Sequence, residues 1–173
     1  MPCHPLLQHN EKEIRLMYDV NVLAHIWMMQ SFLPDMIAQN RGHILALSSC
    51  AGLFGSNNLV AYCGTKYAVR GLMKALAEEL RRLNSENQIK TTIIYPYMND
   101  TGLCKKPRFR FSSMGLIKPK ETAASIIKAQ RTGIEEISIP RYYCIMEKFS
   151  NFFPSKITQL IRDFLDVGVD SDL

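Results

Sequence analysis

The sequence predicts an α/β fold in which parallel strands are covered by helices on both faces. Three observations carry this. Helical and strand-like segments alternate along the whole chain, in the order helix, strand, helix, strand, helix, strand, helix. The strand-like segments "HILALSS", "KTTIIYP" and "EEISIP" are short and nearly continuously apolar, as in strands buried on both faces. The segments between them place apolar residues at roughly helical spacing.

Residues 11–39 read as one long helix. Ile14, Met17, Val20, Leu23, Ala24, Trp27, Met28, Ser31 and Met36 keep helical spacing, and Val22, Ile26, Met29 and Leu33 fill other faces. Such a helix is expected to be covered on most sides, by a sheet or a partner. Pro34 is a potential kink, and "NRGH" at 40–43 is a stop signal. A buried strand follows at 43–49, then the glycine- and asparagine-containing loop "CAGLFGSNNL". Residues 61–83 form a second long helix and 90–96 a second strand closed by proline. Residues 97–119 read as a loop, "KPKETAASIIKAQR" as a third helix starting near Pro119, and 135–140 as a third strand. The tail, 143–165, is helical and amphipathic, broken at Pro154.

At 173 residues the chain suits one domain with a real core. The 47% hydrophobic and 21% charged content argues against disorder and coiled coil. No apolar run reaches the ~18 residues of a membrane span, and the first residues lack the pattern of a secretory signal. Five widely spaced cysteines give no disulfide or zinc pattern, which points to a reducing compartment. The histidines carry no metal-ligand spacing, so no metal is expected, and His25 reads as a packed core residue. The net charge of +5 comes partly from "CKKPRFRF" at 104–111, read as a solvated loop, with a membrane surface or a nucleotide phosphate as alternatives. No nucleic-acid motif is present.

Chemistry concentrates at three residues. Tyr62 and Lys66 are four apart at the start of a helix and share a face. A phenol with a reference pKa near 10 is a poor base at neutral pH. An ammonium about 4 Å away, at an effective dielectric near 20, supplies roughly 4 kcal/mol. That is about three pKa units, opposed in part by desolvation. Ser49 closes a strand at its C-terminal end, where open α/β sheets place ligands. With no histidine or carboxylate to activate the serine, the set fits proton transfer to an alcohol or carbonyl better than acyl transfer.

On these motifs the chain resembles the C-terminal part of a short-chain dehydrogenase/reductase, nearest the retinol dehydrogenase and 17β-hydroxysteroid dehydrogenase branch. "DVNVLAHIW" matches the family's asparagine motif at Asn21, "GHILALSSCAG" its serine motif at Ser49, and "AYCGTKYAV" carries Tyr62 and Lys66. "YPYMNDTG" matches the segment that contacts the nicotinamide, giving Pro96, Asn99 and Thr101. The resemblance implies a single partial domain over 1–173. Its fold would be the C-terminal part of a doubly wound parallel-sheet (Rossmann-type) fold lacking the first strands.

The same resemblance implies the roles. Tyr62 would be general acid/base, and Lys66 would lower its pKa and hold the nicotinamide ribose. Ser49 would polarise the substrate oxygen, and Asn21 would support a water in the proton relay. The cofactor would be NAD or NADP and the substrate a lipophilic alcohol or ketone. A homodimer would form through helices 11–39 and 61–83. The location would be the endoplasmic reticulum membrane or a lipid droplet, with the cytoplasm as the alternative because these residues hold no anchor. Tyr97 stands where the family usually has glycine and is expected to restrict the cofactor-side loop.

One family feature is not in the sequence. No two glycines are separated by a single residue, so the glycine-rich pyrophosphate turn cannot occur within these residues. The chain is expected to open just after the family's fourth strand, leaving the strand at 43–49 with an unpaired edge. This leaves two functional readings open. One is an oxidoreductase. The other is a catalytically inactive chain that acts as an interaction or dimerisation partner. For the tail, a substrate lid plus a packed C-terminal helix is expected ahead of a membrane contact.

Overall fold

The structure, a computed structural model, describes residues 2–84, 86–111 and 115–172. The first helical stretch comprises α1 (Glu11–Tyr18), a π-turn (Asp19–Leu23) and α2 (Ala24–Ala38). Asn10 starts it with a reciprocal cap: its side chain accepts from the Glu13 backbone N–H, and the Glu13 carboxylate accepts from the Asn10 N–H. Then come β1 (Gly42–Leu47), α3 (Val60–Leu83), β2 (Ile89–Pro96), β3 (Pro107–Arg108), α4 (Pro119–Thr132) and β4 (Glu136–Ile139). The chain finishes with α5 (Tyr142–Ser150), α6 (Ser155–Leu165) and β5 (Gly168–Val169).

β1, β2 and β4 form a parallel sheet in the order β1-β2-β4. Successive residues of β2 face opposite sides, which is why the strand reads as continuously apolar. Ile93 and Tyr95 pack with Ala46, Val69 and Met73 beneath α3. Ile94 packs with Ala129 and Ile139 beneath α4. Proline opens α4, and Gly133 ends it at a φ of 65°, the left-handed cap that glycine adopts without strain. The expected α/β fold, with its three parallel strands, is therefore the one observed.

Two expectations are corrected. The long first helix is not covered on most sides: α2 has no buried residue. Leu16, Val20, Leu23, Trp27, Met28 and Phe32 are exposed along its length. The reason is geometric. α2 touches the sheet at β1, which is its edge strand, and Leu47 on that strand is itself exposed.

The basic segment 104–111 is not a freely solvated loop either. Pro107 and Arg108 pair antiparallel with Val169 and Gly168. The Arg108 guanidinium donates to Asp170 at 3.0 Å and pairs with Asp166 at 3.1 Å. Lys106 reaches the Ser171 carbonyl, and Arg110 the Phe164 carbonyl. The acidic tail "DVGVDSD" supplies the counter-charges, and a composition count of 104–111 alone could not show them. Positions 112–114 of the expected loop lie outside the described residues.

Candidate active site

The site is assembled at the C-terminal ends of β1 and β2. The backbone leaves β1 through Ser48, whose N–H donates to the Ile94 carbonyl, and turns sharply at Cys50–Gly52. Ser49 caps this turn, its hydroxyl oxygen accepting from the Ala51 N–H at 3.2 Å. The same hydroxyl faces the Pro96 carbonyl at 3.4 Å, which ties the end of β1 to the end of β2. Gly52 makes this approach feasible. A Cβ there would lie 2.5 Å from the Ser48 hydroxyl and 2.8 Å from the Lys66 carbonyl oxygen. Ser48 itself is buried and donates to that Lys66 carbonyl at 2.8 Å, fixing the turn against the first turns of α3.

Tyr62 and Lys66 project from the same face of α3. Burial pushes the Tyr62 phenol above its ordinary pKa, and the Ser49 hydroxyl, which favours the ionised form, offsets only part of this. Lys66 is buried, and burial holds its ammonium below the usual lysine value. Its Nζ donates to the Leu47 carbonyl at 3.1 Å and lies 5.5 Å from the Tyr62 ring centroid. Desolvation, expected from the sequence to offset only part of the lysine's effect, is the larger influence on Tyr62.

Asn21 sits in the π-turn, an extra-residue bulge of the kind that re-aims a helical side chain. Its amide donates to the Thr65 hydroxyl at 3.1 Å, and that hydroxyl donates to the Tyr62 carbonyl at 2.7 Å. His25 lies one turn further on, half-buried; burial first, and the Lys66 ammonium second, hold it below its ordinary pKa. Sequence reasoning missed both Thr65 and Ser48. Their only signal is position, one beside Lys66 and one beside Ser49.

The residues expected on the nicotinamide side are less tightly grouped. Pro96 is part of the site through its carbonyl. The Asn99 amide is committed locally: it donates to the Tyr97 carbonyl and accepts from the Thr122 hydroxyl. Thr101 is exposed, with its N–H on the Asn99 carbonyl. Tyr97 is buried and stacks on Tyr143 of α5, with ring centroids 4.9 Å apart. Burial pushes its phenol to about 12. The helix carrying Tyr143 is anchored by a two-pronged Arg70–Glu147 pair at 3.0 and 3.3 Å.

A second cluster supports the site from the other side. Cys3, Leu59, Cys63 and Val169 are buried together, with Tyr62 and Cys104 packed against them. Cys3 and Asp172 exchange two hydrogen bonds, and Asn58 donates to the Val169 carbonyl at 2.9 Å.

Ser49 follows the end of a parallel strand and Tyr62 and Lys66 lie on the next helix, α3; comparison with known proteins specifies the family. The short chain dehydrogenase profile matches residues 2–109, and the chain belongs to that family. 17-beta-hydroxysteroid dehydrogenase 13 of Rattus norvegicus is 33% identical over 166 residues, which is 96% of this chain and 54% of that protein. Epidermal retinol dehydrogenase 2 of Homo sapiens is 33% identical over 151 residues, 87% of this chain and 48% of that protein. Among solved structures, a short chain dehydrogenase/reductase from Burkholderia phymatum in complex with NAD superposes with a TM-score of 0.73. It is 19% identical, over 85% of this chain and 60% of that one, a likeness of fold. The chain thus spans about half the length of the curated relatives it matches.

Proposed function

We propose that the protein to which these residues belong interconverts a lipophilic alcohol, retinoid- or steroid-like, and its ketone or aldehyde. The observation that carries this is the Lys66 ammonium 5.5 Å from the Tyr62 ring centroid, on the helix that follows the strand-ending Ser49. In carbonyl reduction Tyr62 gives its phenolic proton to the substrate oxygen, and in alcohol oxidation it takes that proton back. Ser49 donates to the same oxygen as charge develops on it. Asn21 holds Thr65, which holds the first turn of α3, so Tyr62 is positioned through the backbone as well as through its ring.

Nicotinamide, NAD or NADP, fits the residues present. The Lys66 ammonium has three N–H bonds and the Leu47 carbonyl takes one, which leaves donors for ribose hydroxyls. The bound cofactor would supply or accept the hydride. Pro96, Asn99 and Thr101 are the residues that would flank the nicotinamide, Asn99 after release from its present partners. The test is NADH- or NADPH-dependent reduction of all-trans-retinal or a 17-ketosteroid. Tyr62→Phe should lower kcat by ~10²–10⁴-fold; undiminished turnover in that variant defeats the reading.

A second reading is supported by the exposed stripe Leu16, Val20, Leu23, Trp27 and Phe32. An apolar face of this extent on a soluble chain marks an interaction surface. Pairing through it and α3, with a second copy or an intact family member, is the non-catalytic alternative. A Leu23→Glu/Trp27→Glu double variant should shift the chain from dimer to monomer in light scattering. An unchanged mass removes this reading. For location we propose the endoplasmic reticulum membrane or a lipid droplet, with the cytoplasm as alternative. No helix among the described residues is long and apolar enough to cross a membrane.

A further inference from the structure

The segment before α1 brings together three side chains that the reaction above does not use. His4, His9 and Glu13 each offer one ligand atom, and these atoms all lie within 4.8 Å of one another. His9 Nδ1 is 3.3 Å from one carboxylate oxygen of Glu13, and His4 Nε2 is 4.0 Å from the other. The imidazole rings are 5.0 Å apart, tilted by 39°. Both are out of water: the side chains of His4 and His9 are 10% and 1% exposed.

A hydrogen bond between His9 and Glu13, one helical turn apart, accounts for only part of this arrangement. It does not extend to His4, whose Nε2 is 4.0 Å from the carboxylate, beyond hydrogen-bond range, and whose buried Nδ1 has no partner among the described residues. An imidazole nitrogen buried unpaired is destabilising. Two imidazoles and a carboxylate packed this closely are also destabilising unless something satisfies them.

We propose that His4, His9 and Glu13 form a binding site for a divalent transition-metal ion, Zn²⁺ being the best match. Two imidazoles and one carboxylate are a zinc donor set, with a water completing the tetrahedron. Metal–ligand bonds of about 2.0–2.2 Å put ligand atoms roughly 3.4 Å apart. The cluster therefore needs to contract by little more than an ångström, within reach of side-chain torsions. The ligands follow H-x₄-H-x₃-E, drawn from a loop, a short turn and the first turn of α1, so no single element's periodicity reveals them. The ion would act as a clip. It fastens residue 4 to α1, and the adjacent Cys3 is fully buried in the cluster against which Tyr62 packs.

The test is titration of the metal-stripped 173-residue chain with Co²⁺, followed by visible spectroscopy, and with Zn²⁺ by calorimetry. One equivalent should bind, giving tetrahedral Co²⁺ bands without the thiolate charge-transfer band that cysteine ligation produces. His9→Gln and Glu13→Gln should each weaken Zn²⁺ by at least ~10-fold, whereas His43→Gln should leave it unchanged. Failure to bind one equivalent overturns the proposal, as does a thiolate band or equal affinity in all variants. If His9→Gln does not fold, the Co²⁺ spectrum of the unaltered chain and the His4→Asn variant decide the matter.

Discussion

The Asn21 side chain donates to the Thr65 hydroxyl at 3.1 Å, joining the π-turn of the first helix to the turn of α3 that presents Tyr62 and Lys66. Thr65 is fully buried. Thr65→Val keeps the shape but removes the acceptor, and leaves the Asn21 amide without that partner. The expected loss is about 1–3 kcal/mol of stability, together with a fall in kcat. Thr65→Ser should restore most of both. Denaturant unfolding and turnover on the three proteins check this, and a Thr65→Val variant with unaltered kcat would show that the link is only structural.

Gly52 is predicted to be intolerant of any side chain. In Gly52→Ala the new methyl meets the Lys66 carbonyl, a backbone atom that cannot swing away. A destabilisation of about 1–3 kcal/mol is expected. Activity should drop further than stability alone explains, because the displaced turn carries Ser49. A thermal melt and a kcat measurement on the same sample separate the two effects.

Lys66 and Tyr62 give opposite pH signatures. Burial holds Lys66 below the value of 10.5 it has when unfolded, so the unfolded chain binds more protons and this contribution to stability rises as pH approaches 10.5. Tyr62 is raised above 10.0, so its contribution is intact below pH 10 and is lost above it. Lys66→Met should therefore leave Tm equal or higher near pH 7, with the gain shrinking toward pH 10, while activity is lost. A variant whose Tm falls by several degrees at pH 7 would contradict this.

The Arg70–Glu147 pair holds α5 on α3, with both side chains more than four-fifths buried. Glu147→Gln leaves the Arg70 guanidinium without its counter-charge. A loss of about 3 kcal/mol is expected, larger than for Arg81 or Arg82 with Glu78, which are exposed. Hydrogen exchange should show faster opening of residues 142–150 in the variant, and unchanged protection there would refute the anchoring role.

Much of this architecture was legible in the residues because the signals were local. The strand at 89–96 could be read from its own apolar continuity, and α3 from its own period. Ser49 could be placed at the end of a strand, and Tyr62 and Lys66 on one face of the next helix, because the sequence itself marks those elements. What was not legible depended on partners far along the chain. "CKKPRFRF" looks solvated until Asp166 and Asp170, about sixty residues later, fold back onto it. The sign of the Tyr62 shift was equally hidden, since the cluster Tyr62 packs against includes Cys3 and Val169 from distant segments. The exposure of Trp27 could not be read either, because an apolar period records which face seeks cover and not whether this chain provides it.

The short β5 strand has a consequence out of proportion to its two residues. Val169 is held by Asn58, its neighbour Asp170 by Arg108, and Asp172 by Cys3, so one stretch of tail fastens three segments that touch Tyr62 or its surroundings. Deleting residues 166–172 would remove no catalytic group and no part of the main sheet. It would nonetheless free the loop after Ser49, the loop after β2 and the lead-in to α1 together. A genetic lesion in the codons of this stretch would thus loosen the surroundings of Tyr62 while leaving Ser49, Tyr62 and Lys66 themselves unchanged.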